Sequence, residues 1–130
     1  MKKQYTVDLN KVSMDDLPLV GGKNASLGEM IQNLKSVGIR IPDGFAITSE
    51  AYWEFLRYNG LKTLIETLIN SIEKDNVVSL RKVGTEVRQI IRNGKWPQDL
   101  KDEVREKYNK MSKVYGQEMT DVAVRSSATA

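Results

Sequence analysis

The chain of 130 residues contains neither cysteine nor histidine. Without cysteine there is no disulfide framework, no thiolate nucleophile and no zinc site of the cysteine kind. Without histidine these residues supply no imidazole base, no imidazole metal ligand and no histidine phosphate carrier. Aromatic residues make up 7%, and they do not interleave with the basic side chains as a nucleic-acid surface requires. A surplus of one charge sign is also missing. Twenty Lys and Arg stand against 17 Asp and Glu, a net charge of +3, too small and too mixed to argue for nucleic acid. No apolar run approaches the roughly 20 residues of a membrane span. Met1-Lys2-Lys3 leads into polar and alternating residues, not the apolar core of a signal peptide. With 40% hydrophobic and 28% charged residues, the composition suits one globular domain or a piece of a larger one. A cytoplasmic location is expected.

What is present centres on Val20-Gly21-Gly22-Lys23-Asn24-Ala25-Ser26-Leu27-Gly28-Glu29-Met30. Leu27, Met30, Ile31 and Leu34 recur at i, i+3, i+4 and i+7, the apolar stripe of an amphipathic helix. A helix start offers unpaired N–H groups and partial positive charge. Glycines let backbone approach a ligand closely, and Lys23 adds a full charge. Residues 21–26 are therefore a candidate phosphate site. An ordinary turn with a solvated lysine would read the same way, and the Walker A pattern is absent.

Taken in order, Tyr5, Val7 and Leu9 alternate as a short strand over 4–9. The polar connection at 13–18 contains Asp15-Asp16, better explained by turn and capping roles than by a metal. A helix is expected over 24–37, ended by Gly38, then Pro-Asp-Gly turn chemistry and a strand over 44–48. Thr48 or Ser49 can cap a helix over 49–59 with Tyr52, Phe55 and Leu56 inward. Trp53 lies off that stripe, where packing explains it better than base stacking. Helical spacing continues over 61–73, 77–92 and 98–115, with Pro97 opening the last helix. The charged positions between these stripes form a solvated face.

The final stretch, Asp121-Val122-Ala123-Val124-Arg125-Ser126-Ser127-Ala128-Thr129-Ala130, alternates as a strand over 120–125 running into a hydroxyl-rich turn. Arg125 is either paired to a carboxylate, exposed, or a planar fork aimed at phosphate oxygens. The stop in small residues reads as a cut edge of a larger domain.

Val-Gly-Gly-Lys-Asn-Ala-Ser-Leu-Gly-Glu-Met, Ile-Pro-Asp-Gly-Phe-Ala-Ile-Thr and Ala-Val-Arg-Ser-Ser-Ala-Thr-Ala stand in fixed order. Together they resemble the N-terminal nucleotide-binding domain of the family of phosphoenolpyruvate synthases, pyruvate phosphate dikinases and rifampicin phosphotransferases. The Lys-Asn-Ala-Ser-Leu-Gly-Glu-Met wording points to the synthases within it. The resemblance implies an ATP-grasp fold binding ATP with Mg2+, a phosphohistidine in a separate domain, and transfer of phosphate to pyruvate. It implies ATP contacts at Lys23, Arg125, Gly21, Gly22, Ser126 and Ser127. The family's Glu-Asp and Gly-Gln segments beyond the last motif, its magnesium carboxylates and its histidine are not in this chain. No catalytic residue and no metal ligand are therefore expected here, and the isolated chain is expected to be inactive.

The expectation is thus an α+β chain: the helix-rich first lobe of an ATP-grasp-type domain spanning 1–130, from a phosphotransferase. Nucleotide is its partner, with pyruvate reached through absent domains, and neither nucleic acid nor membrane is involved. A fragment of a rifampicin phosphotransferase or dikinase relative, or a non-catalytic nucleotide-binding module, is the alternative. Any shared phosphate site needs Lys23 and Arg125 to face one cleft.

Overall fold

The structure, a computed structural model, describes residues 3–129. Met1-Lys2 and Ala130, read above as a leaderless start and a cut edge, lie outside the described residues. The chain forms two compact units: one comprises the residues up to Tyr52 and from Gln98 onward, the other Trp53–Pro97. The architecture is α+β, rich in helix.

In the first unit β1 (Thr6–Asp8) pairs antiparallel with β2 (Phe45–Ile47), Thr6 opposite Ile47 and Asp8 opposite Phe45. Both strands are shorter than the alternation suggests. Leu9 opens a 3-10 turn over Leu9–Lys11, and its amide donates to the Gly44 carbonyl at 3.0 Å. A second 3-10 turn, Met14–Asp16, is closed by a capping box: the Ser13 amide donates to Asp16 Oδ2 at 2.9 Å, and the Asp15 amide to Ser13 Oγ at 3.3 Å. This is the capping use expected of Asp15-Asp16. A short helix not foreseen in the sequence, α1 (Leu17–Val20), follows with Pro18 in its first turn.

Next come α2 (Gly22–Leu34) and a 3-10 extension, Lys35–Val37, ended by Gly38 at φ 84°. The buried face of α2 differs from the expected stripe. Ala25, Gly28 and Ile31 are buried, Leu27 and Leu34 are half-buried, and Met30 is 40% exposed. The reason is backbone proximity: a Cβ on Gly28 would run into the Val12 carbonyl, so the closest contact is made by small side chains. Leu9, Val12, Val20, Ala25, Ile31 and Ala46 form the core of this unit.

The same unit contains α6 (Gln98–Val114), with Leu100 fully inside and Val104, Tyr108 and Met111 half-buried. Glu103 Oε1 accepts from the Tyr5 amide at 3.1 Å, the Thr6 amide at 2.8 Å and the Thr6 hydroxyl at 2.8 Å. Lys107 Nζ donates to Asp8 Oδ1 at 2.6 Å.

The strand expected over 120–125 is not formed; residues 117–129 are irregular. Alternation supplies only half of a strand, because the ladder needs a neighbour. Among the described residues the one sheet is β1–β2, and Val124 is 91% exposed. Hydrogen bonds to side chains hold this segment instead. The Thr120 amide donates to the buried Ser112 Oγ at 3.2 Å, and Tyr108 Oη donates to the Thr120 carbonyl at 2.7 Å.

Helix α3 (Ser49–Tyr58) begins in the first unit, where the Ala51 amide donates to Thr48 Oγ1 at 3.2 Å as its cap. It ends in the second, with Phe55 and Leu56 buried there. Tyr52, expected inward, is 45% exposed. In the second unit α4 (Lys62–Asn70) and α5 (Val77–Asn93) follow. Phe55 meets Trp96 edge-on at 6.3 Å between ring centroids, and Asn59 exchanges hydrogen bonds with the Lys95 backbone at 2.7 and 2.8 Å. Trp53 is half-exposed with the Lys62 ammonium 5.7 Å from its ring centre.

Candidate nucleotide site

The site begins with a bend. Gly21 sits at φ 80°, ψ 164°, backbone territory essentially restricted to glycine. It turns the chain from α1 into α2, so that α2 starts at Gly22. A second reason for glycine comes from outside the turn: a Cβ at position 21 would overlap the Ser127 hydroxyl and backbone. Residues 127–128 lie directly on the glycine turn. The Gly22 amide donates to the Ala128 carbonyl at 3.0 Å, and the Asn24 amide donates to Ser127 Oγ at 3.3 Å. Asn24 also reaches back through Nδ2 to the Val20 carbonyl at 2.9 Å, bracing the bend.

Beside this junction is an open cavity of about 410 Å³ lined by Gly22, Lys23, Asn24, Ser26, Leu27, Met30 and Arg125. Lys23 and Arg125, separated by most of the chain, therefore face one cavity, the placement that a shared anion site requires. Both side chains are exposed, and among the described residues neither pairs with a carboxylate. Of the three readings of Arg125, an ion pair to a carboxylate is not formed among the described residues. Two cations thus stand at one cavity that Leu27 and Met30 line with apolar surface. Opposite charge from a ligand would be attracted there, and fixed there by a guanidinium that can give two parallel hydrogen bonds.

The other residues singled out in the sequence are placed differently. Gly21 is buried beneath the turn, Ser127 is half-buried against it, and Ser126 is exposed and outside the cavity lining. The amides of Gly22 and Asn24, two of the first donors of α2, already have partners within the chain. Asn24 and Ser26 fall within the 21–26 stretch expected to bind phosphate, whereas Leu27 and Met30 lie outside it. Their signal was available: Lys23, Ser26, Leu27 and Met30 recur at i, i+3, i+4 and i+7, one face of a helix. For Leu27 and Met30 the same spacing also spells a core stripe, because large apolar residues usually turn inward. Among the described residues no group of three or more Asp or Glu is placed to hold a metal ion, and no helix is long and apolar enough to cross a membrane.

Comparison with known proteins places the chain in a class. Residues 17–130 match the family described as pyruvate phosphate dikinase, AMP/ATP-binding domain, and the chain belongs to it. Within that class it is similar to phosphoenolpyruvate synthases. It is 47% identical to that of Aquifex aeolicus over 128 residues, 98% of this chain and 15% of the relative. It is 44% identical to that of Neisseria meningitidis over 130 residues, 100% of this chain and 16% of the relative. It is 43% identical to a probable phosphoenolpyruvate synthase of Staphylothermus marinus over 131 residues, 99% of this chain and 15% of the relative. The chain thus spans 15–16% of the length of these relatives.

Proposed function

We propose that this chain is the front part of the ATP-binding domain of a phosphoenolpyruvate synthase, and that the cavity between Lys23 and Arg125 receives the phosphates of ATP. The observation that carries this reading is the convergence of those two cations, without carboxylate partners among the described residues, on one cavity beside a glycine turn. The family membership and the similarity to synthases over nearly the whole chain support the same conclusion. Lys23 and Arg125 hold the phosphates, Gly21 and Gly22 shape the turn beneath them, and Ser126 and Ser127 form the adjoining edge.

The domain is of ATP-grasp type, and these residues form its helix-rich first lobe. Mg2+ travels with the triphosphate and is held by groups other than those described here. The full reaction is that of a dikinase: ATP, pyruvate and water give AMP, phosphoenolpyruvate and phosphate by way of a phosphohistidine. This chain contains no histidine, so its own share is nucleotide binding, in a cytoplasmic enzyme.

Calorimetric titration with Mg-ATP tests the proposal on wild type, Lys23→Ala and Arg125→Ala, in this chain and in an extended one that continues as the relatives do. Each substitution removes a charged hydrogen-bond donor, and affinity should fall roughly 10- to 100-fold. Equal affinity in all three proteins would overturn the site, and no binding by either wild-type chain would overturn the nucleotide reading itself.

A further inference from the structure

Arg125 lies in an irregular segment with no strand to aim it, yet it lines the same cavity as Lys23. Something other than secondary structure must hold it there. On one side the chain is fastened at Thr120, both of whose backbone groups are bound by α6 side chains. On the other it is fastened at residues 127–128, where Ser127 Oγ and the Ala128 carbonyl accept from the first turn of α2. Arg125 is two residues from the second fastening.

We propose that Ser127 is a positioning residue: with the Ala128 carbonyl it latches the 120–129 segment to the glycine turn, placing the Arg125 guanidinium at the Lys23 cavity. The proposal rests on the nucleotide reading above and adds a division of labour to it. The first-turn amides of Gly22 and Asn24 remain engaged by the latch when phosphate is bound. The anion is held by side-chain cations, and the amides that ordinarily make a helix start an anion site serve to hold the arginine. Gly21 belongs to the latch as well, since a side chain at that position would occupy the space of Ser127. Neighbouring serines thus differ in role: Ser126 is exposed and has no part in the fastening, while Ser127 closes it.

Two readouts test this on the 130-residue chain: amide exchange at Gly22 and Asn24 by NMR, and titration with inorganic tripolyphosphate. Ser127→Ala should accelerate Asn24 exchange about three- to tenfold, the worth of one hydrogen bond, and weaken tripolyphosphate binding. Ser127→Thr, which keeps the hydroxyl, should restore both, and Ser126→Ala should leave Asn24 exchange unchanged. In the wild type, Gly22 and Asn24 should stay protected as tripolyphosphate is added, a measurement that does not depend on any variant folding. Unchanged Asn24 exchange in Ser127→Ala, or loss of protection in the wild type on adding tripolyphosphate, would overturn the latch. Accelerated Asn24 exchange in Ser126→Ala would overturn the division between the serines. If the wild type binds no tripolyphosphate, the positioning role falls together with the nucleotide reading, while the exchange rates still report whether the fastening itself exists.

Discussion

At the scale of single residues, the site depends on conformations and distances that only certain side chains allow. Gly21 is fixed twice over, by its own backbone angles and by the approach of Ser127. The sequence showed Gly-Gly before a helix, and that was enough to place a turn. Nothing near position 21 could announce Ser127, because the contact spans 106 positions of chain from residue 21 to residue 127. Away from the site, Asp8 illustrates a residue-scale effect open to measurement. The hydrogen bond from Lys107, opposed by burial and aided by the charges of Lys107 and Lys11, holds its carboxyl below the ordinary 3.8. A carboxylate depressed in the folded state stabilises the fold above its unfolded value, and the contribution is lost as pH falls through the folded value. Lys107→Met should therefore cost about 0.5–1 kcal/mol at neutral pH. In urea titrations the difference from wild type should shrink on acidification below the ordinary carboxylate range. A difference that stays constant with pH would assign the effect to packing of the lysine stem.

At the scale of elements, legibility followed the kind of interaction that makes each element. Helices and their ends rest on local signals, and two of these read well: Gly38 ends the α2 turn and Thr48 caps α3. Asn76, not singled out in the sequence, caps α5 by accepting from the Ser79 amide at 3.0 Å. Asn76→Ala should lower stability by about 1 kcal/mol, visible as a reduced urea midpoint with an unchanged slope. No change would mean that α5 starts independently of its cap. The short helix α1 was hidden because Asp15-Asp16 and Pro18 read as a connection, although proline in a first turn is a helix signal too. The segment 120–125 failed for a different reason. Its alternating valines satisfy the local half of a strand, and the other half must come from a partner that no local pattern reveals. On α2, periodicity found the helix but misplaced its buried face. Large apolar residues carry the periodic signal, whereas the tightest contact, Gly28 on Val12, is made where there is no side chain. Leu27 and Met30 were thereby freed to line the cavity.

At the scale of the whole molecule, the two units differ in how much each keeps from water. In the first, a contiguous core joins Leu9, Val12, Val20, Ala25, Ile31 and Ala46. In the second, α4 and α5 contribute one buried residue each, Ile65 and Val83, while Leu64, Ile69 and Leu80 are about half exposed. Local opening follows buried apolar contact, so amides of 62–93 should exchange by openings of lower free energy than those of 25–31. Native-state hydrogen exchange checks this, and uniform protection across both stretches would contradict it. The latch has a last consequence, in the order of synthesis. Asn24 and Ser127 meet across 103 positions, and the entire second unit lies inside that loop. A chain emerging from the ribosome displays Lys23 before it has made Arg125, 102 positions later. Closing so long a loop is a late, topologically expensive event in folding. Nucleotide capture at the proposed site therefore requires Asn24 and Ser127 to have met first, and a chain not yet extended past Ser127 cannot perform it.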